Sequence, residues 1–115
     1  MGTMLATFHS AGQPVGDENL AVVRLTGAKT ERITTSGVSA KTTLTGVNGA
    51  SGKKSDGGFV TVTAIGANLY VVPGADPTAV YPAAGANNSG FPVMSGQSIT
   101  FALTKGDKIA AIEFV

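Results

Sequence analysis

From Leu20 onward, the apolar residues of this chain fall in short runs that alternate with Thr and Ser and stop at Gly, Asn, Asp or Pro. Alternation with a period of two places successive side chains on opposite faces of a β-strand. No segment shows the 3.6-residue period of an amphipathic helix, and the chain contains 16 Gly, a residue that weakens helices. The sequence therefore predicts an all-β fold.

The order of strands and turns predicts the architecture. Strands are predicted at residues 20–25, 30–35, 38–45, 59–65, 69–72, 98–104 and 108–114. Short turns at Ser36-Gly37, Gly66 and Lys105-Gly106-Asp107 separate three consecutive pairs, so each pair is expected to form a hairpin. Longer loops are predicted at 46–58 and 74–90. About seven or eight short strands predict a single antiparallel β-sandwich, with either jelly-roll or Ig-like Greek-key order.

The first 19 residues differ from the rest because Gly and Pro interrupt them and no periodicity is sustained. We predict an extended N-terminal arm over residues 1–19 and one β-sandwich domain over residues 20–115, since 115 residues fit a single domain. Met4, Leu5 and Phe8 are the apolar residues with which such an arm would contact a neighbour. Removal of the arm is expected to leave a folded domain.

Charge and composition favour a protein partner. The net charge is +1, so the chain lacks the basic surface that holds nucleic acid or anionic lipid, and neither is predicted as a partner. No apolar run approaches the length of about 20 residues that spans a bilayer, and the first residues do not have the pattern of a secretory signal. The absence of Cys suits folding in a reducing cytoplasm.

Few residues are candidates for chemistry. Residues 52–55 partly match a phosphate-binding P-loop, but Val47 stands where that motif requires Gly and Lys54 where it requires Ser or Thr. His9 precedes Ser10, yet adjacent residues of a strand face opposite sides, and no orienting carboxylate is near in sequence. The acids are scattered without the spacing of a metal loop. We predict no enzyme, no catalytic residue, no metal site and no cofactor; a small hydrolase that uses His9 is the remaining enzymatic hypothesis.

Glu113 stands out because it interrupts an otherwise apolar strand. Two interpretations are open. The favoured one is an outward-facing charge that blocks pairing at a sheet edge; the other is a buried functional acid. Asn87-Asn88-Ser89 matches the N-glycosylation pattern and Lys105-Gly106-Asp107 an integrin-binding tripeptide, and both are interpreted as turn or loop sequences.

Two strand-and-turn units carry a resemblance to a known class. They are residues 59–64 with 68–72, and residues 96–101 running into 106–112. In these units the sequence from 31 to 115 resembles the small β-sandwich structural proteins of tailed bacteriophages, notably head decoration or cement proteins. The resemblance implies a virion protein, made in the host cytoplasm, that binds the outer surface of an assembled capsid through the major capsid protein. It also implies a homo-oligomer, with a trimer as the first expectation.

The contact residues expected for such a protein lie in two places. The arm contributes Met4, Leu5 and Phe8, and the loop around residues 74–92 contributes Val80, Tyr81 and Phe91. The aromatic residues of this loop also leave open a receptor-binding or carbohydrate-binding module of a tail fibre or adhesin, because aromatic rings stack on sugar faces. The sequence therefore predicts a binding or assembly protein and leaves two classes of ligand open.

Overall fold

The computed structural model describes residues 1–12, 22–46 and 58–115, and the side chains of residues 1–9, 28–46 and 58–115. These residues form eight strands and no helix: β1 Gly2–Gly12, β2 Val22–Thr35, β3 Ala40–Lys41, β4 Gly58–Ile65, β5 Asn68–Gly74, β6 Phe91–Val93, β7 Ser98–Leu103 and β8 Lys108–Phe114. The predicted all-β class is confirmed.

The strands form two four-stranded antiparallel sheets that pack face to face. The first sheet has the order β2-β1-β4-β7 and the second has the order β3-β8-β5-β6. The strands can be renumbered so that β2 becomes strand 1, β3 becomes strand 2 and so on, with β1 placed last as strand 8. The two sheets then have the orders 1-8-3-6 and 2-7-4-5. This is the strand arrangement of a jelly roll. Of the two predicted topologies, the jelly roll therefore matches and the Ig-like order does not.

The three predicted hairpins are wrong. β2 and β3, β4 and β5, and β7 and β8 each lie in different sheets, so the short connections between them cross from one sheet to the other. Gly66 and Gly106 adopt positive φ angles of 78° and 89°, as a tight turn requires, but these turns form corners of the sandwich. A turn residue predicts a reversal of the chain, whereas the choice of pairing partner depends on which faces are buried together.

The strand boundaries also differ from the prediction in two places. Predicted strands 20–25 and 30–35 join, over the described residues, into β2, and the break expected at Gly27 is an irregularity where the register moves from Phe8↔Lys29 to Ser10↔Arg24. Predicted strand 38–45 shrinks to Ala40–Lys41. Beyond it, the backbone N–H of Gly46 donates to the Asp107 carbonyl at 2.8 Å, so this segment closes one end of the sandwich. The predicted loop at 46–58 lies mostly outside the described residues.

The N-terminal segment requires the largest correction. Gly2–Gly12 form β1, which lies between β2 and β4 in the interior of the first sheet. Met4, Ala6 and Phe8 are almost fully buried in the core. Residues 2–12 are therefore part of the domain, because every second side chain from Met4 to Phe8 faces the second sheet; residues 13–19 of the predicted arm lie outside the described residues.

The core lies between the two inner faces. β4 contributes Val60, Val62 and Ala64, as its predicted alternation requires. The second sheet contributes Leu69, Val71, Val93, Ile109 and Ala111. Together these aliphatic side chains exclude water and account for most of the stabilisation of such a fold.

β1 and β2 continue beyond the rest of the first sheet. The pairing of β1 with β4 ends at His9↔Phe59, whereas its pairing with β2 continues to Gly12↔Val22. In the described residues this two-stranded ribbon extends the molecule, whose dimensions are 47 × 25 × 24 Å. The ribbon leaves the end of the sandwich opposite to the one at which β1 begins.

Candidate docking site at one end of the sandwich

An open groove lies at the end of the sandwich where β1 begins and β4 and β8 end. Its volume is about 530 Å³. The lining residues are Gly37, Gly66, Ala67, Asn68, Ser95, Glu113, Phe114 and Val115. They come from four separate parts of the chain, which the two sheets bring together, and we call this feature the end groove.

Glu113 is the one charged side chain among the lining residues of the end groove. Its Oε2 accepts hydrogen bonds from the backbone N–H of Gly2 at 2.6 Å and from the Thr35 hydroxyl at 2.7 Å. Its own backbone N–H donates to the Ser36 carbonyl at 2.9 Å. Through these bonds the residue holds the start of β1 and the end of β2 against β8.

These hydrogen bonds favour the ionised form of the carboxyl group. The Thr35 hydroxyl, followed by the Gly2 N–H, holds the pKa of Glu113 below its ordinary value of 4.5, with a smaller attraction from the chain's α-amino group. The prediction that Glu113 blocks a sheet edge is wrong, because β8 is an interior strand of the second sheet, between β3 and β5. The carboxylate instead lies in the end groove, where it is partly buried.

Several exposed apolar residues lie at the same end of the sandwich as the end groove. Seven large apolar side chains of the described residues are exposed, and five of them are at this end: Met1, Val38, Ile65, Met94 and Val115. Val38, Ile65 and Met94 each follow or precede a lining residue in the chain, and the Met1 carbonyl lies near Gly66. Exposed apolar residues that cluster in this way mark interaction surfaces, whereas singly scattered ones do not.

The remaining two exposed apolar residues, Val80 and Tyr81, belong to the long loop between β5 and β6. The Tyr81 ring stacks on Phe114 with centroids 4.4 Å apart and meets Tyr70 edge-on at 5.6 Å. Phe114 is a lining residue of the end groove, so the loop packs against one of the groove's residues. Tyr81 is therefore the exposed apolar residue of the loop that contacts a lining residue of the end groove.

The loop is anchored to the second sheet at both halves. The backbone N–H of Ala79 donates to the Ser39 hydroxyl at 2.8 Å, and Lys41 forms an ion pair with Asp76. The Tyr70 hydroxyl donates to the Asn88 carbonyl at 3.1 Å. The position of Tyr81 beside Phe114 is thus fixed by bonds along the loop.

The six residues that the sequence predicts as contact residues lie in different parts of the structure. Met4 and Phe8 are core residues, so they are not available as anchors of an arm. Leu5 is half-buried on the outer face of the first sheet, and Phe91 packs edge-on against Phe101 at 4.9 Å. Val80 and Tyr81 are exposed near the end groove. Sequence analysis missed Val38, Ile65 and Met94, whose shared location depends on the way the sheets are connected.

His9 is buried on the outer face of the first sheet. Its Nε2 is 3.0 Å from the Thr61 hydroxyl, and the ring stacks on Phe59 at 6.1 Å. Its Nδ1 has no hydrogen-bond partner among the described residues. Burial lowers the pKa of His9 below its ordinary value of 6.5 and so favours the neutral ring. The Ser10 side chain is not among the described side chains, and residues 52–55, the P-loop-like sequence, lie outside the described residues.

The Glu31 carboxylate, like that of Glu113, accepts several hydrogen bonds that join separate parts of the chain. Its carboxylate accepts the backbone N–H groups of Leu44 at 2.8 Å and Thr43 at 2.9 Å, and the Thr43 hydroxyl at 3.1 Å. Burial alone would raise the pKa of Glu31, but these three donors outweigh it and lower the pKa. Glu31 therefore fastens β2 to the segment after β3, far from the end groove.

Among the described residues, no group of three or more His, Cys, Asp and Glu side chains is placed to hold a metal ion. The same residues contain no helix that is long and apolar enough to cross a membrane. Comparison with protein-family models, curated proteins and solved structures found no match to this chain.

Proposed function

We propose that this protein is a docking module that attaches to the surface of a larger protein assembly through the end groove and its apolar rim. The observation that carries the proposal is that five exposed apolar residues lie at the end of the sandwich that holds the groove, on a molecule of nearly neutral charge. Side chains such as Val38, of which 73% is exposed, lose contact with water when a partner covers them. The burial of exposed apolar side chains in this way stabilises a protein–protein complex.

The assembly we propose is the capsid of a tailed bacteriophage, with the protein as a decoration or cement protein bound to the major capsid protein on the outside of the virion. Support comes from the sequence resemblance and from the jelly roll, which is common in viral structural proteins and also in lectins. A fold alone does not define a function. Repetition on a capsid lattice gives avidity, so each copy needs only a modest contact.

Co-sedimentation tests the proposal directly. Purified protein is mixed at about micromolar concentration with undecorated heads of the phage that encodes it, and the pelleted fraction is measured. We expect wild-type protein to pellet with the heads. If it stays in the supernatant while a known cement protein pellets with its own heads, the proposal is overturned.

Two matched substitutions locate the contact. Val38→Asp places a charge on the rim of the end groove, and Thr104→Asp places the same charge on an exposed residue at the opposite end. We expect Val38→Asp to weaken binding about tenfold or more, since a charge in an apolar contact is costly, and Thr104→Asp to bind like wild type. Equal binding by both variants would mean that the end groove is not the contact surface.

Self-association is proposed as part of the same function. β2 spans 14 residues and is an edge strand of the first sheet, so one side of its backbone has no partner strand among the described residues. Long edge strands in natural proteins are usually covered or paired. A trimer is expected from the resemblance, and light scattering measures the mass; a strictly monomeric protein at working concentration would contradict it.

A carbohydrate-binding module of a tail fibre or adhesin is the second candidate. The observation that favours it is Tyr81, which is 46% exposed and supported from behind by Phe114. Aromatic rings held in this way form platforms for sugar rings. A glycan array distinguishes the two functions: a signal for specific sugars that is lost in Tyr81→Ala supports this candidate, and no signal supports the docking module.

A further inference from the structure

The end groove holds one acidic side chain, Glu113, and aliphatic residues lie beside it. Both hydrogen bonds that the Glu113 carboxylate accepts from described residues end on Oε2. Oε1 therefore keeps its lone pairs for another donor. Among the described residues, Lys41 and Asp76 form an ion pair, and no Lys or Arg side chain forms one with Glu113. The chain's α-amino group attracts the Glu113 carboxylate more weakly than its two hydrogen bonds do.

The other lining groups complete a site with a clear chemical preference. Asn68 Oδ1 accepts the backbone N–H of Ser95 at 3.0 Å, which fixes the amide beside the groove and leaves its NH₂ group to donate. Ala67 and Val115 are the aliphatic residues that line the groove. A carboxylate beside aliphatic lining residues matches a cationic head on a long aliphatic stem.

We infer that the end groove binds a lysine or arginine side chain that the partner protein projects from an apolar segment. The ammonium or guanidinium group donates to Glu113 Oε1, and the stem lies along Ala67 and Val115. The apolar neighbours of that residue on the partner cover Val38, Ile65 and Met94. This inference rests on the proposed docking function and specifies the chemistry of the partner surface.

The low pKa of Glu113 is consistent with this role, because the carboxylate is charged at neutral pH. The hydrogen bonds from Gly2 and Thr35 also hold it in one orientation before a partner arrives. A preorganised acceptor loses little conformational freedom on binding. A charge-assisted hydrogen bond to such a group is stronger than one between neutral groups.

The site can be tested without the natural partner. The probes are N-acetyl-lysine methylamide and N-acetyl-norleucine methylamide, which share an aliphatic stem and differ in the ammonium group. Each is titrated to about 10 mM into ¹⁵N-labelled protein while amide shifts are recorded, a range that detects millimolar affinity. We expect the lysine probe to shift the amides around residues 66–68 and 113–115 in a saturable way, and the norleucine probe to bind at least about fivefold more weakly.

Matched variants assign the effect to one carboxylate. Glu113→Gln keeps an oxygen that accepts from Gly2 and Thr35 but removes the charge, and we expect binding of the lysine probe about fivefold weaker. Glu31→Gln removes a similarly bonded charge outside the end groove and is expected to bind like wild type. Equal binding of the two probes, no lysine-specific shifts, or full binding by Glu113→Gln would overturn the inference.

The capsid experiment separates this inference from the proposed function. If wild-type protein and Glu113→Gln pellet equally with phage heads while Val38→Asp does not, docking stands and the cationic anchor is wrong. If wild-type protein does not pellet at all but the lysine probe binds at Glu113, the site stands as a cation-binding groove and the capsid is the wrong partner. Weaker pelleting of both variants supports both proposals.

Discussion

At the scale of single residues, Gly2 illustrates how closely the end of the sandwich is packed. A Cβ atom at this position would lie 2.7 Å from Ala67 Cβ and 2.8 Å from the Ile65 carbonyl oxygen. Real Cβ atoms do not approach neighbours this closely, and one of the two contacts is with backbone. The absence of a side chain is what lets the Gly2 N–H reach Glu113.

Gly2→Ala is therefore expected to destabilise the protein by about 1–3 kcal/mol, the usual cost of forcing an extra carbon into a packed site. Urea unfolding followed by circular dichroism measures the change. Gly37→Ala is the matched control, since a Cβ there meets nothing within 4 Å. Similar unfolding midpoints for the two variants would show that β1 does not begin against Ala67.

Glu113 predicts a pH dependence of stability. Its pKa is lower in the folded protein than its ordinary value of 4.5, so its contribution is fully present well above pH 4.5 and is lost as the pH falls toward the folded value. In Glu113→Gln this contribution is absent at every pH. The difference in free energy of unfolding between wild type and Glu113→Gln is thus expected to shrink below pH 4.5. A difference that stays constant from pH 7 to about pH 3 would contradict the hydrogen bonds described.

At the scale of elements, β1 decides whether the sandwich forms. It pairs with β2 on one side and β4 on the other, and it supplies Met4, Ala6 and Phe8 to the core. Loss of this strand would leave β2 without a partner strand, would leave β4 paired with β7 alone, and would expose the inner face of the second sheet. The N-terminal segment is accordingly indispensable, in contrast to the arm that the sequence suggests.

Deletion of residues 1–12 is expected to give a chain without a cooperative thermal transition. A milder test is Phe8→Ala, which should cost about 3–5 kcal/mol, the range for a large buried aromatic side chain. Leu5→Ala, on the outer face of the same strand, should cost clearly less because Leu5 is only half-buried. A deletion variant that melts cooperatively near the wild-type temperature would mean that β1 is not part of the core.

Sequence patterns predicted some elements well and others poorly, for identifiable reasons. The alternation at residues 59–65 and at Ile99, Phe101 and Leu103 correctly predicted β4 and β7, because burial on one face imposes a period of two. Strand partners were not predictable in the same way, since a Gly-containing turn serves a hairpin and a corner between sheets equally well. The end groove was missed because its residues are distant in sequence, and Glu113 was misinterpreted because a charge in a strand does not reveal whether that strand is an edge.

At the scale of the whole molecule, the two ends are unlike each other. One end has the groove, the exposed apolar side chains and a carboxylate, whereas from the other end the β1–β2 ribbon projects. Thr and Ser hydroxyl groups hydrogen-bond across the outer face of the first sheet, for example Thr61 with Thr100 at 2.8 Å and Thr63 with Ser98 at 2.7 Å. That face is uncharged along these pairs.

The crossing of the chain between the sheets also determines how fast the protein reaches its native state. In the second sheet, β8 lies between β3 and β5, so its two partners are both distant in sequence. In the first sheet, β4 joins β1 and β7, which are again distant. Because the ends of long loops must meet before these pairs gain any contact, we expect refolding in milliseconds to seconds, roughly the range of all-β domains, and slower than a helical bundle of equal size. Stopped-flow dilution from urea measures this rate, and a microsecond phase that recovers the full signal would be incompatible with the strand order.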